Sequence, residues 1–294
     1  MNDKMKGIVA VSVGSILLGS IGIFVRYAGD AIEPMTQSFG RIFVAFIFIT
    51  LYNFFRYKGS TDIFKIKQKD LGLFALNALV GFSVMASAFT LSALNTSLTN
   101  TYFLLYTAPI WVVIMSYIFL KEKVQRSVAI AIAISMIGLI LLFNPSDLNA
   151  NLFGNFFGLV TGIAFATYFV ITGFLSKKYK SPTITFWTQL IGSMGIFPLI
   201  FLFDSEVVFF HSLAEWLPVI GAGAVVFAGY ALLNYGLGKI KASVGSILSL
   251  FEPLSSIVFG FLFFTEIPGG NTLLGSAIVL GSIAYLTLQE KKDK

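Results

Sequence analysis

Apolar positions in this chain come in long unbroken runs, separated by short clusters of Lys, Arg, Asp, Pro and Gly. Ten runs of about twenty residues can be read, at roughly 7–25, 35–55, 71–91, 98–120, 125–143, 153–175, 183–203, 215–237, 243–265 and 270–288. Each is long enough to cross a hydrocarbon core of about 30 Å as a helix. The runs do not alternate apolar and polar with period two, so helices and not barrel strands are predicted. The connections leave no room for a soluble domain. The fold class predicted is an all-α integral membrane protein of ten transmembrane helices.

Composition strengthens that picture. The chain has 294 residues, 56% of them hydrophobic and only 12% charged, with 32 Phe, far from the mix of a soluble domain. Zero cysteines exclude disulfides and thiolate chemistry. Lys4 and Lys6 precede the first run as they would in a signal peptide. That run is longer than a signal core of roughly 7–15 residues and no small-x-small cleavage site follows, so it is read as a retained helix.

Charge orients the helices. With the N-terminus inside, every Lys and Arg except Arg26 and Arg41 falls in a cytoplasmic segment, from Lys4 and Lys6 through Lys121, Lys123 and Arg126 to Lys291, Lys292 and Lys294. The opposite loops hold Asp30, Glu33, Asp147, Asp204, Glu206 and Glu215. Basic residues are retained on the cytoplasmic side, which predicts a multi-pass plasma-membrane protein with both termini cytoplasmic. This collar explains the net charge of +6 without nucleic acid as a partner.

The chain repeats itself. "YTAPIWVVIMSYIFLKEKV" over "LFEPLSSIVFGFLFFTEIP" matches Pro109 with Pro253, Ser116 with Gly260 and Glu122 with Glu266, at an offset of 144. Gly138 then pairs with Gly281, Pro34 with Pro182, and Arg41 with Gln189. Two five-helix halves follow, 1–145 and 146–294. An odd number of spans per half makes them inverted repeats around a central cavity, with the site near the midplane.

Two ionisable residues lie at depth. Arg41 sits roughly 10 Å below the outer surface in helix 2, and Glu252 roughly 13 Å deep in helix 9. Around Glu252, residues Gly245, Ser246, Ser249, Pro253, Ser256 and Gly260 fall within a helical sector of about 120°. Pro109 and Pro253 should kink helices 4 and 9, freeing the carbonyls of Leu105 and Ser249. Tyr102 and Tyr106 share the face of Pro109. Further candidates for the lining are Ser15 and Ser20 on helix 1, Asn77 and Ser83 on helix 3, Tyr168 on helix 6, and Tyr230 and Asn234 on helix 8.

Ten spans, Pro34 with Arg41, "SALNTS" closing helix 3, Pro109 with "KE", and "LFEP" followed by "TE" resemble the drug/metabolite transporter superfamily, EamA-type branch. The resemblance covers essentially the whole chain. It implies a secondary transporter, with Glu252 and Pro253 on the family's helix 9 Glu-Pro and Arg41 on its helix 2 Arg. Gln189 departs from the pattern, since the second half lacks the cation.

A buried carboxylate prefers its neutral form unless a cation or water stabilises the charge, so Glu252 can exchange a proton for substrate. The expected activity is alternating-access export of a small amino acid or similar metabolite, with Glu252, Tyr102, Tyr106, Ser249, Ser246, Asn77, Tyr168, Tyr230, Asn234 and Arg41 as substrate contacts. Its partners are the small-molecule substrate, the lipid bilayer and protons, in a monomer or homodimer. Alternatives are pairing of Glu252 with Arg41 purely as helix glue, an uncoupled facilitator of a small neutral or amphipathic solute, and a sugar-phosphate- or nucleotide-sugar-like carrier. The last would want two cations at depth. No cofactor or metal is expected, since His211 stands alone in an outer loop. No catalytic set is present at depth, so an enzyme is not expected. Glu122 and Glu266, at helix exits, read as helix-capping residues, and Ala277 with Gly281 as a packing or dimer seam.

Overall fold

The computed structural model describes residues 1–29, 32–145, 151–204 and 212–292. Among these are ten spans: α1 (Asp3–Ala28), α2 (Pro34–Arg56), α3 (Gln68–Asn95), α4 (Leu98–Leu120), α5 (Arg126–Phe143), α6 (Leu152–Leu175), α7 (Ser181–Phe203), α8 (Leu213–Leu237), α9 (Ala242–Phe264) and α10 (Gly270–Lys291). Each overlaps one predicted run. α1 starts earlier than its apolar run because the Asn2 side chain accepts from the Met5 N–H at 2.9 Å, and such a cap holds a helical turn where hydropathy has already ended. His211, Asp30, Asp147 and Glu206 lie outside the described residues.

Large apolar side chains are exposed on the outside, while many polar ones are buried among the apolar core. Phe55, Phe119 and Leu202 are 74%, 72% and 72% exposed, whereas Ser15, Asn77, Thr161, Thr172, Thr185, Gln189 and Ser246 are fully buried. An apolar rim of this kind is stable only where the surroundings are hydrocarbon.

Short connections make consecutive spans run in alternate directions. The packing follows a pattern: α1 lies on α8 and α6 on α3, α2 on α8 and α7 on α3, α1 on α9 and α6 on α4. The α5–α10 and α2–α7 contacts complete the set. Shifting every span number by five exchanges these pairs. Close approach depends on glycine at two crossings. A Cβ on Gly14 would meet the carbonyl oxygen of Gly229 at 2.8 Å, and one on Gly275 would meet Leu142 N at 2.4 Å. Ala277 and Gly281 are not in such a crossing: both are exposed, and nothing lies within 4 Å of a Cβ on Gly281.

Helices 4 and 9 are broken rather than bent. α4 divides into Leu98–Leu105 and Ala108–Leu120, and α9 into Ala242–Leu248 and Phe251–Phe264. Pro109 therefore occupies the first turn of its second half-helix, a position where the missing N–H costs nothing. Pro253 lies equally early in its half, and the Ser249 carbonyl expected to be free accepts from the Glu252 N–H at 2.9 Å. That is a correction to the predicted kink: tightening to an i+3 bond satisfies the carbonyl that the proline releases. α3 carries a π-turn over Leu79–Val84, which no sequence signal announced.

The two halves are tied at their ends as well. The Asp204 carboxylate, leaving α7, accepts from the N–H groups of Met35 (2.9 Å) and Thr36 (2.7 Å) and from the Thr36 hydroxyl (2.7 Å), capping α2. A carboxylate at a helix N-terminus satisfies free donors and the helix dipole together. Asp204→Ala should lower stability by about 1–2 kcal/mol, measured as a lower thermal midpoint in detergent.

Candidate functional site

Glu252 stands in the first turn of the second half of α9, at the positive end of that half-helix. It is enclosed by protein yet only half-buried by accessible surface. Tyr106, from the break in α4, reaches its carboxyl, while Tyr102 and Tyr230 lie within electrostatic range. α1 closes the far side, where a Cβ on Gly19 would meet the Glu252 carbonyl at 2.5 Å.

The tyrosines form part of an aromatic wall. Rings of Tyr102, Tyr106 and Phe143 lie 6.0 to 6.2 Å apart and within 9 to 11° of parallel. Phe89 stands edge-on to Tyr102 at 5.1 Å. Tyr230 packs against Phe82 at 4.8 Å and Tyr168 at 5.3 Å.

Arg41 faces the same tyrosines, Tyr102 and Tyr230, from α2. With Phe24, Gln37 and Pro218 it also lines a crevice too narrow to hold a water molecule. Arg41 and Glu252 do not form an ion pair with each other, and neither has an oppositely charged partner among the described residues. Gln189, at the position matching Arg41, is fully buried instead.

Other candidates are committed to packing. Asn77 donates to the hydroxyls of Thr172 and Thr188, each at 3.2 Å, joining α3, α6 and α7. The Tyr168 hydroxyl donates to Asn234 Oδ1, and Asn234 Nδ2 donates to the Thr185 hydroxyl at 2.8 Å. Ser246 and Ser249 turn their hydroxyls onto the carbonyls of Ser243 (3.0 Å) and Ser246 (2.7 Å). Each of these five residues is at most 2% exposed; Asn77, Tyr168 and Asn234 hold helices together, whereas Ser246 and Ser249 are satisfied within α9 itself. Ser83 likewise donates to Gly192 O at 2.9 Å. Asn234→Ala strands the Tyr168 hydroxyl in the interior and should cost about 1–3 kcal/mol, read as a lower thermal midpoint.

The site thus gathers Glu252, Tyr102, Tyr106, Tyr230 and Arg41. Phe89 and Phe143 join it without having been singled out in the sequence, because nothing distinguishes them among 32 phenylalanines. Thr172, Thr185 and Thr188 escaped notice for a similar reason: their partners are on other helices. No cluster of three His, Asp or Glu suited to a metal ion is found among the described residues.

An apolar exterior, buried polar side chains and two ionisable residues at depth define a multi-pass membrane protein. The EamA-like transporter family matches residues 5–144 and again 152–288, and the chain belongs to that family of membrane transporters. An uncharacterized transporter of Archaeoglobus fulgidus is 28% identical over 279 residues, 94% of each chain. A second from the same organism is 32% identical over 233 residues, 77% of this chain and 81% of its own. A protein of Pseudomonas aeruginosa named a pseudopaline exporter is 22% identical over 195 residues, 66% of this chain and 67% of its own. A solved crystal structure superposes with a TM-score of 0.82 at 12% identity, over 97% of this chain and 98% of that one; it shows the shared fold. The protein is a transporter of the EamA type and not an enzyme.

Proposed function

We propose that the protein exports small metabolites such as amino acids by alternating access, exchanging them for protons at Glu252. The observation that carries this reading is a half-buried carboxylate at a helix break, with no cation paired to it among the described residues and three tyrosines around it. A carboxylate so placed is a site for either a proton or a substrate ammonium, whichever is present.

Arg41 supplies the complementary charge. Facing Tyr102 and Tyr230, it suits the carboxylate of a zwitterion whose amine lies toward ionised Glu252. One cation at depth does not suit a divalent phosphate ester. The exchange of packing partners on shifting by five spans, together with breaks in α4 and α9 at equivalent places, supports two inverted halves, 1–145 and 146–294, rocking about the site. Sidedness follows from the basic collar, with both termini cytoplasmic in the plasma membrane. Export as the direction is supported by the name of the Pseudomonas relative.

The test is flux in reconstituted vesicles. Amino acids loaded on the cytoplasmic-equivalent side should leave faster when a pH gradient, acidic on the opposite side, is imposed. Flux that follows the substrate gradient alone would instead identify an uncoupled facilitator.

A further inference from the structure

Glu266 and Glu122 occupy matching positions in the two halves, and so does the backbone that carries them. Lys121 and Thr265, the residues before them, both take the left-handed conformation, at φ 54° and 55°. The N–H of Glu122 then donates to Ser116 O at 3.2 Å, and that of Glu266 to Gly260 O at 3.3 Å. This turn throws each carboxylate sideways from the end of its helix.

What each carboxylate meets is also matched. Glu266 pairs with Arg26 at 2.5 Å, near the end of α1. Glu122 approaches Lys177, just past the end of α6, at 4.0 Å. α6 is the counterpart of α1 five spans on, and α4 the counterpart of α9. Because consecutive spans alternate in direction, the two pairs stand at opposite ends of the bundle.

They are not in the same state. The Arg26 guanidinium lies 4.7 Å over the Phe264 ring, and Tyr27 packs on the same ring at 5.6 Å. The Arg26–Glu266 pair is thus in direct contact, with both side chains about half exposed at 48% and 53%. Lys177 is 66% exposed and only grazes Glu122.

We propose that Arg26–Glu266 and Lys177–Glu122 are two latches that close opposite ends of the transport path in turn, each joining the first helix of one half to the fourth helix of the other. The structure has the Arg26 latch engaged and the Lys177 latch slack. An exposed ion pair is weak, and a latch needs to be: each must release on every cycle. The proposal rests on the alternating-access reading.

The absence of cysteine makes the test direct. Arg26→Cys with Glu266→Cys, and Glu122→Cys with Lys177→Cys, are joined by a bifunctional maleimide in reconstituted protein. Either link should cut flux at least about tenfold, since a tied end cannot open. If both linked proteins transport normally, the ends need not separate, and alternating access itself is wrong. Separately, Arg26→Gln or Glu266→Gln, in a Phe143→Cys background, should speed labelling by an impermeant thiol reagent from the Arg26 side about two- to fivefold, the population shift an exposed ion pair supports. The swap Arg26→Glu with Glu266→Arg should restore slow labelling. If the links block flux but the glutamine variants label like the parent, the ends move without these latches and the proposal is overturned.

Discussion

Glu252→Gln protein should fold, insert and purify like its parent while losing flux driven by a pH gradient, down to the level of protein-free vesicles. Glutamine has nearly the volume of glutamate, so the close contact between α9 and Gly19 of α1 is undisturbed and stability should change by less than about 1 kcal/mol. What disappears is the capacity to ionise. Proton exchange requires a group that gives up its proton to one side and regains it from the other, and an amide does neither. The Tyr106 contact can persist with the amide, which keeps the local geometry comparable. Exchange flux between equal pools of substrate, with no pH gradient, separates the two roles assigned to Glu252. If that exchange survives, the carboxylate serves coupling alone; if it falls too, the carboxylate also holds the substrate amine. Gradient-driven flux with unchanged pH dependence in the variant would remove Glu252 from the mechanism.

Gly275→Leu should have the largest effect on assembly. A Cβ there would stand 2.4 Å from Leu142 N, 2.6 Å from the Gly138 carbonyl and 2.7 Å from Leu142 Cα. All three are backbone atoms of α5, so no rotamer change relieves the clash and the helices must separate. Separation also breaks the buried Ser135–Ser282 hydrogen bond at 2.8 Å and the bond from Ser282 to Ala131 O at 2.7 Å. Overpacking combined with lost bonds should exceed about 3 kcal/mol. The expected result is a strongly lowered thermal midpoint or aggregation on extraction into detergent. Gly281→Leu on the same helix is the control. With open space at its Cβ, it should stay within about 0.5 kcal/mol of the parent. Equal damage from both would mean that α10 as a whole is intolerant and that the α5 contact is not special.

The contrast between these two glycines shows where sequence reasoning stops. Gly138 aligns with Gly281 on the repeat, yet the residues that approach Gly138 are Val279 and Gly275. Equivalence within a repeat is a statement about ancestry of position, and contact is a statement about which faces meet. The same separation runs through the polar candidates. Asn77, Tyr168 and Asn234 were legible as polar residues at depth, but only the neighbours Thr172, Thr188 and Thr185 decide that their groups are consumed between helices. Glu252 and Arg41 were equally legible, and there the tertiary arrangement did the opposite by leaving both without a charged partner among the described residues.

By itself the sequence determined the ten spans and the two ionisable residues at depth, and it predicted a repeat and a charge asymmetry between the two ends. Each of these follows from local quantities: hydropathy over twenty residues, the sign of a loop, the spacing of Pro109 and Pro253 from their glutamates. The tertiary structure alone decided that the prolines sit at the start of half-helices, that Asn77, Tyr168 and Asn234 bond between helices, that Phe89 and Phe143 complete the aromatic wall, and that Glu266 meets Arg26. The physical reason is the bilayer. Hydrocarbon makes the length and polarity of each span a local requirement that any reader of the chain can see. It exerts no comparable force on which polar face meets which, and that choice is left to packing and hydrogen bonds between residues far apart in the chain.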